Sequence, residues 1–258
     1  MNALREALLR GRRRPRVAGA GSPTLYRGDG YEFVELREYV PGDDIRRIDW
    51  AATARTGELQ TRVVLEDVAL TMAAILDCSP SMQVGRQRLL ASSAQQILDL
   101  WFAAASGDDR CIRVLADDVV ASWAAPKQGA FSLESACRVA AVALPRGAAL
   151  VVISDFLDFP EDDDLPVLLG GRCDCTALIA RDPWRDDLPL SGFVRVKDVE
   201  SGASASLFIG RAERTRYVNA AREREVRLAE RLGTANWRVE FFDENDGGAA
   251  LLRAFGVR

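Results

Sequence analysis

The chain has 258 residues, of which 48% are hydrophobic and 28% are charged, and its formal net charge at pH 7 is −4. This composition is ordinary for a globular protein, and the negative charge gives no general attraction for nucleic acid. Histidine is absent, which excludes Ser-His-Asp and Cys-His triads and any imidazole-based zinc site. The sequence also contains no P-loop and no GxGxxG dinucleotide signature.

The cysteines and the apolar runs predict a location in the cytoplasm. Five cysteines form no CxxC pair, and no secretory signal precedes them. This pattern predicts reduced thiols, most of them buried in the core, in a cytoplasmic protein. No stretch approaches the ~18 consecutive apolar residues that a membrane span requires. We therefore expect a cytoplasmic protein without a membrane span.

The N-terminal part of the chain differs in composition from the rest. Residues 1–30 are rich in arginine, glycine and proline, and we predict a flexible basic arm that begins with a short amphipathic helix. Residues 31–67 are rich in turn-forming residues and contain two strand candidates. We predict that they form a β-rich extension packing on a sheet formed by the remaining residues.

Buried strands alternate with amphipathic helices throughout residues 68–258. Such alternation predicts an α/β fold, with a mostly parallel sheet covered by helices on both faces. A β-hairpin with its turn around Gly202 is expected as an insertion at about residues 191–210. Ligands of such a sheet are expected beyond the carboxyl ends of its strands.

Two of the predicted buried strands lead directly into an aspartate. Asp77 follows the apolar run that ends at Leu76, and Asp155 follows a second such run. Two carboxylates at neighbouring strand ends repel each other unless a cation lies between them. Ser79 and Ser81 add two hydroxyl oxygens. Hard oxygen ligands of this kind favour Mg²⁺ or Mn²⁺ over softer metals.

The stretch Asp77-Cys78-Ser79-Pro80-Ser81-Met82 resembles the D-x-S-x-S motif of the metal-ion-dependent adhesion site in von Willebrand factor A domains. In that family two serines bind the cation directly, the aspartates act mostly through water, and a threonine completes the set. One coordination position stays open for a carboxylate of a partner protein. The resemblance implies a Mg²⁺ or Mn²⁺ site formed by Asp77, Ser79, Ser81 and Asp155, in a Rossmann-like fold.

The threonine has no counterpart in this sequence, and Ser132 is the candidate to replace it. Without that ligand, an incomplete site that binds metal weakly or not at all is one alternative. A second alternative is that Asp77, Ser79 and Ser81 only cap the helix that follows them. The sequence leaves these alternatives open.

A second motif lies upstream. The upstream segment, Tyr39-Val40-Pro41-Gly42-Asp43-Asp44-Ile45-Arg46-Arg47-Ile48-Asp49-Trp50, resembles the signature of a bacterial family named domain of unknown function 58. That family couples this segment to a von Willebrand A-like domain, and the resemblance covers about residues 25–210. Its members are commonly encoded beside MoxR-type AAA+ ATPases. The resemblance therefore implies an adaptor or co-chaperone that acts with such an ATPase.

The residues of the upstream segment also permit a local interpretation. The aspartates of the segment are expected to pair with Arg46, Arg47 and the nearby Arg55, with Trp50 buried as the anchor. This pairing makes the segment a structural clasp on the sheet. The alternative is an exposed docking surface for a partner, formed by Asp43, Asp44, Arg46, Asp49 and Trp50.

Three functions compete at this point. The leading hypothesis is a metal-dependent binding module, not an enzyme, that captures an acidic residue of a client protein or an ATPase. The second is a structural scaffold without metal. The third is a haloacid-dehalogenase-like phosphohydrolase, which needs an acid/base aspartate two residues after its nucleophile. Serine occupies that position, residue 79.

Overall fold

The computed structural model describes residues 2–9, 31–41, 43, 45–66, 69–107, 109–120, 131–159, 164–198 and 202–257. They form two compact units, one of Met1–Leu4 with Thr71–Arg258 and the other of Arg5–Leu70. Within the predicted basic arm, Asn2–Leu9 form helix α1. The remaining residues of that arm, 10–30, lie outside the described residues.

The smaller unit is built on a two-stranded antiparallel ribbon. Strand β1, Tyr31–Glu38, pairs with β2, Gln60–Glu66, with one irregularity between Phe33 and Glu35. Between the strands come a 3-10 turn, Ile45–Arg47, and helix α2, Trp50–Thr56. Gly57 ends α2 with a φ of +80°, a backbone conformation that glycine adopts without strain.

The larger unit contains a six-stranded sheet with the strand order β10-β7-β6-β3-β4-β5. Its strands are β3 (Thr71–Leu76), β4 (Arg110–Val114), β5 (Val119–Val120), β6 (Ala149–Ser154), β7 (Asp174–Ala180) and β10 (Arg238–Phe242). The short edge strand β5 is antiparallel to β4, and the other pairings are parallel. The α/β class with a mostly parallel sheet is therefore confirmed.

Successive side chains of each strand point to opposite faces of the sheet, so both faces carry side chains against which helices can pack. The helices are α3 (Leu90–Ala103), α4 (Leu133–Ala143), α5 (Leu165–Gly170), α6 (Arg211–Thr234) and α7 (Ala249–Ala254). On one face, Ala73 and Ile75 of β3 join a buried cluster with residues of α4 and α5. Helices α3 and α7 contact each other, α3 also contacts β3, and α7 also contacts β10.

An antiparallel hairpin of β8 (Gly192–Lys197) and β9 (Ser204–Ile209) forms a separate two-stranded sheet, as predicted. Among the helices of the described residues, none is both long and apolar enough to span a bilayer.

All five cysteines are free thiols. Cys78, Cys137, Cys173 and Cys175 are buried, and Cys111 is half-buried. The prediction that most thiols lie in the core is therefore confirmed. Burial raises the pKa of the Cys78 thiol to about 11, so the thiol is neutral at pH 7.

Candidate metal site at the carboxyl edge of the sheet

Asp77 and Asp155 lie beside each other at one edge of the central sheet. Strands β3 and β6 are parallel neighbours in which Leu76 pairs with Ile153, and the Asp77 N–H donates to the Ile153 carbonyl oxygen at 2.9 Å. After β3 the next strand of the sheet, β4, lies on one side of this pair, and after β6 the next strand, β7, lies on the other side. Ligands of open α/β sheets bind at such a point.

The Asp77 carboxylate is 4% exposed, and each of its oxygens accepts one hydrogen bond from the protein. Oδ1 accepts from the Ser79 N–H at 2.8 Å, and Oδ2 accepts from the Ser154 hydroxyl at 2.6 Å. The Ser154 oxygen in turn accepts from the Phe156 N–H at 2.9 Å. Ser154 therefore joins the two aspartate loops, a role that sequence reasoning missed, although its position directly before Asp155 was visible.

The two serines of the D-x-S-x-S loop, Asp77–Met82, contact each other. Their hydroxyl oxygens are 2.9 Å apart, and both residues are buried. Ser79 precedes a short 3-10 turn, Pro80–Gln83, but its side chain makes no capping hydrogen bond there. Ser81 also hydrogen-bonds to the Asp155 carboxylate. The Ser79 hydroxyl is therefore directed to Ser81, and the Ser81 hydroxyl also to Asp155, whereas the Asp77 carboxylate accepts a backbone N–H as the capping alternative expects.

Asp155 has a buried carboxylate that accepts hydrogen bonds from the Leu157 N–H and from Ser81. Its Oδ1 accepts from the Leu157 N–H at 3.0 Å, and its carbonyl oxygen accepts from the Arg224 guanidinium at 2.6 Å. Burial raises the pKa of Asp155, and the charge of Asp77 raises it further. The hydrogen bonds from Ser81 and Leu157 and the charge of Arg224 oppose this shift. The ionised form of Asp155 is therefore disfavoured in the folded protein.

The turn after Asp155 has an uncommon backbone conformation. Phe156 has a φ of +55°, which costs a bulky residue about 1–3 kcal/mol. Its side chain is buried and packs edge-on against Phe159, with ring centroids 5.6 Å apart. The next side chain, Leu157, is 61% exposed. The buried phenyl ring thus fixes a turn that leaves an apolar side chain in solvent.

Glu244 supports the loop that follows the serines, and sequence reasoning missed it. Its buried carboxylate accepts hydrogen bonds from the N–H groups of Arg86 and Gln87, the latter at 2.8 Å. Gly85 is needed here because a Cβ atom would lie 1.7 Å from the Arg88 carbonyl oxygen. The end of β10 therefore positions the chain beyond the candidate site.

Ser132, the predicted replacement for the threonine, is the N-cap residue of α4. Its hydroxyl accepts from the Ser135 N–H at 3.2 Å, and the Asp158 carboxylate accepts from the Leu133 N–H at 3.0 Å. The start of α4 is thus tied to the loop that carries Asp155. The Ser132 hydroxyl therefore binds the backbone of its own helix, at Ser135, and not Asp77, Ser79, Ser81 or Asp155.

The remaining four predicted ligands suit a hard divalent cation. Asp77, Ser79, Ser81 and Asp155 offer two carboxylates and two hydroxyls, which are oxygen donors of the kind that Mg²⁺ binds. Among the residues that the structure describes, no group of three or more His, Cys, Asp or Glu could hold a metal. A cation at this edge therefore depends on the serine hydroxyls. Its charge would offset the repulsion between two buried carboxylates.

In the upstream segment, Asp43 and Asp49 pair with arginines of the strands β1 and β2. Asp43 accepts from Arg37 at 2.8 Å and from the Val40 N–H at 3.0 Å. Asp49 caps α2 by accepting from the Ala52 N–H at 2.9 Å, and it pairs with Arg62 at 2.8 Å. The predicted pairing with Arg46, Arg47 and Arg55 was wrong for these two aspartates, and Asp44 lies outside the described residues.

The pKa values of these two carboxyls are lowered. The Arg37 hydrogen bond is the main cause for Asp43, and the Ala52 N–H is the main cause for Asp49, followed by Arg62. Both aspartates therefore stabilise the local fold in their ionised form.

The prediction of a buried Trp50 was also wrong, since Trp50 is 68% exposed. It occupies the first position of α2, where the hydrogen bonds of Asp49 fix the start of the helix. Arg46 is exposed as well. Of the five residues assigned to a docking surface, Arg46 and Trp50 therefore lie in solvent, and Asp43 and Asp49 support the backbone beneath them.

A model of the family described as "Protein of unknown function DUF58" matches residues 35–147 and 100–227. Uncharacterized protein Rv1480 of Mycobacterium tuberculosis is 29% identical over an alignment of 224 residues, and the match covers 76% of this chain and 69% of that protein. Uncharacterized protein Mb1516 of Mycobacterium bovis matches with the same values.

Two solved structures are also similar. The conserved hypothetical protein BatB of Bacteroides thetaiotaomicron has a TM-score of 0.40 and 11% identity, covering 73% of this chain and 98% of that one. An aerotolerance-related membrane protein of Bacteroides fragilis, with multiple mutations to serines, has a TM-score of 0.38 and 13% identity, covering 72% and 96%.

Proposed function

This chain belongs to the DUF58 family, and from that premise we propose that it is a metal-dependent protein-binding adaptor with a von Willebrand A-like domain. In this proposal Asp77, Ser79, Ser81 and Asp155 hold Mg²⁺ or Mn²⁺, and the cation takes a carboxylate from a partner protein. The observation that carries the proposal is the pair of buried carboxylates at neighbouring strand ends, together with the raised pKa of Asp155.

The chemistry of the four residues supports a binding role. These four residues offer four ligands to an octahedral cation, so coordination positions remain for an oxygen of a partner. Position 79 is serine and there is no histidine, so we propose no hydrolytic activity for the site. An acidic side chain of a client protein or of an ATPase fits the open position.

The proposal includes a second contact in the smaller unit. Trp50 and Arg46 are exposed on a backbone that Asp43 and Asp49 hold in place. We propose that this surface contacts a MoxR-type AAA+ ATPase in the cytoplasm, with the adaptor acting in the maturation of a protein complex. The choice of ATPase rests on the family resemblance described above.

The test removes the two hydroxyls together. We expect Ser79→Ala with Ser81→Ala to abolish Mg²⁺ binding, measured by isothermal titration, and to abolish Mg²⁺-dependent capture of the MoxR-type ATPase of the same organism. The cost in stability should be about 1–2 kcal/mol, the scale of two lost hydrogen bonds. The matched control is Ser204→Ala with Ser206→Ala, two exposed serines at the same spacing in β9.

Wild type and double variant are compared with Mg²⁺ and with chelator. Equal capture in all four conditions contradicts a role of the metal site in binding. A double variant that does not fold shows that the hydroxyls serve the fold and not a ligand.

A further inference from the structure

A cavity of about 220 Å³ lies beyond the carboxyl end of β7, against helix α6. Its apolar lining consists of Leu157, Ile179, Ala180, Ala220, Ala221 and Leu228. Leu157 is the exposed residue that follows the turn at Phe156, two positions after Asp155. The space exists partly because α6 presents two small alanine side chains here, in a helix rich in arginine and glutamate.

The polar groups that line the cavity are already engaged. Asp182 accepts from the Trp184 N–H at 2.8 Å and from the Tyr217 hydroxyl. Glu225 forms an ion pair with Arg185 at 3.0 Å. A charged ligand group would find few free partners in this cavity. An apolar side chain that enters it removes apolar surface from water, which is favourable in free energy.

The cavity and the candidate metal site share residues. Arg224 lines the cavity and donates to the Asp155 carbonyl oxygen at 2.6 Å. Leu157 lines the cavity, and its N–H donates to the Asp155 carboxylate at 3.0 Å. Leu157 and Arg224 therefore connect the two, and the cavity lies next to the place that an acidic side chain of a partner would occupy.

We propose that this cavity receives an apolar side chain of the partner protein, located within a few residues of the acidic residue that the metal takes. The partner motif recognised at this edge is thus an acidic residue together with a neighbouring leucine-sized apolar residue. This inference rests on the proposed function, since the acidic residue places the partner next to the cavity. Specificity then comes from the cavity, because a carboxylate alone does not distinguish one acidic surface from another.

The experiment uses synthetic Gly/Ser peptides that contain one aspartate. One peptide has no apolar residue, and four others carry a leucine one or two positions before or after the aspartate. We expect at least one leucine peptide to bind the full chain in Mg²⁺ roughly ten-fold or more tightly than the leucine-free peptide, the scale of an apolar group entering a fitted pocket. Ala220→Leu fills the cavity and should erase this preference, without changing the Mg²⁺ affinity measured in the absence of peptide.

The control is Ala212→Leu, an exposed position of α6 outside the cavity, which should retain the preference. Equal affinity for all five peptides in Mg²⁺ overturns the inference and leaves the metal-dependent adaptor intact. A leucine preference that survives Ala220→Leu, or that persists in chelator, also overturns it. Absence of Mg²⁺ binding by the wild-type chain overturns the proposed function itself, and this is measured on the same sample before any peptide is added.

Discussion

The two motifs of this chain use aspartate in opposite ways. In the upstream segment, arginines and backbone N–H groups surround Asp43 and Asp49, and their pKa values are lowered. In the D-x-S-x-S loop and its neighbour, Asp155 is buried beside Asp77, and its pKa is raised. Arginines pair with the first two carboxylates, whereas at Asp155 burial and the charge of Asp77 outweigh the charge of Arg224. The surroundings of each carboxylate thus decide whether the fold favours its ionised form.

The largest expected difference between the two regions is a reversal of sign in thermal stability. In chelator at pH 7, Asp155→Asn should raise the unfolding midpoint, because it removes a desolvated charge while its amide can still accept from Leu157 and donate to Ser81. Asp49→Asn should lower the midpoint, because it weakens the pairing with Arg62. Thermal melts of the two variants check this, and a shift of the same sign in both would break the comparison.

The pH dependence of stability sharpens the comparison. The stability that Asp155 contributes is fully present below its ordinary pKa of 3.8 and is lost as pH rises through its raised pKa in the folded state. The contribution of Asp49 has the opposite course, because it is present above 3.8 and is lost as pH falls through the lowered pKa. Urea unfolding of the wild type and of the two asparagine variants at pH values below and above 3.8 measures how the unfolding free energy of each depends on pH.

Addition of Mg²⁺ should change the pH dependence of stability that Asp155 contributes and leave the contribution of Asp49 unchanged. A bound cation favours the ionised carboxylate, so Mg²⁺ affinity should fall as pH decreases toward the pKa of Asp155. Titration of the wild-type chain with Mg²⁺ at two pH values tests this coupling. An affinity that does not change with pH contradicts the participation of Asp155.

The smallest expected effect on stability belongs to Trp50. Because Trp50 is 68% exposed, Trp50→Ala should change the unfolding free energy by no more than about 0.5 kcal/mol. The same change should weaken capture of the ATPase, which a pull-down measures. Trp101→Ala is the control for a tryptophan in the core, where residue 101 is 0% exposed and the cost should be about 3–5 kcal/mol. A large loss of stability with Trp50→Ala would return this residue to a structural role.

The sequence by itself determined the elements and the approximate position of the site. Apolar runs followed by Asp77 and Asp155 located two parallel strand ends, because a strand buried on both faces must be apolar throughout. The hairpin, the α/β alternation and the D-x-S-x-S loop were recognisable for the same reason, since each depends on a local pattern of residues. The resemblance to the family added the combination of the two motifs.

Only the tertiary structure decided which polar groups meet. Ser154 and Arg224 contact the aspartate loops from positions 77 and 69 residues away from their partners, and no local pattern announces such pairs. Trp50 was expected as the buried anchor of a charge-paired turn, yet the hydrogen bonds of Asp49 place it at an exposed helix start. Ser132 was a candidate ligand by residue type, and the start of α4 assigned its hydroxyl to a backbone N–H. Periodicity determines which face of an element is buried, but the partners of a polar side chain depend on where other elements end.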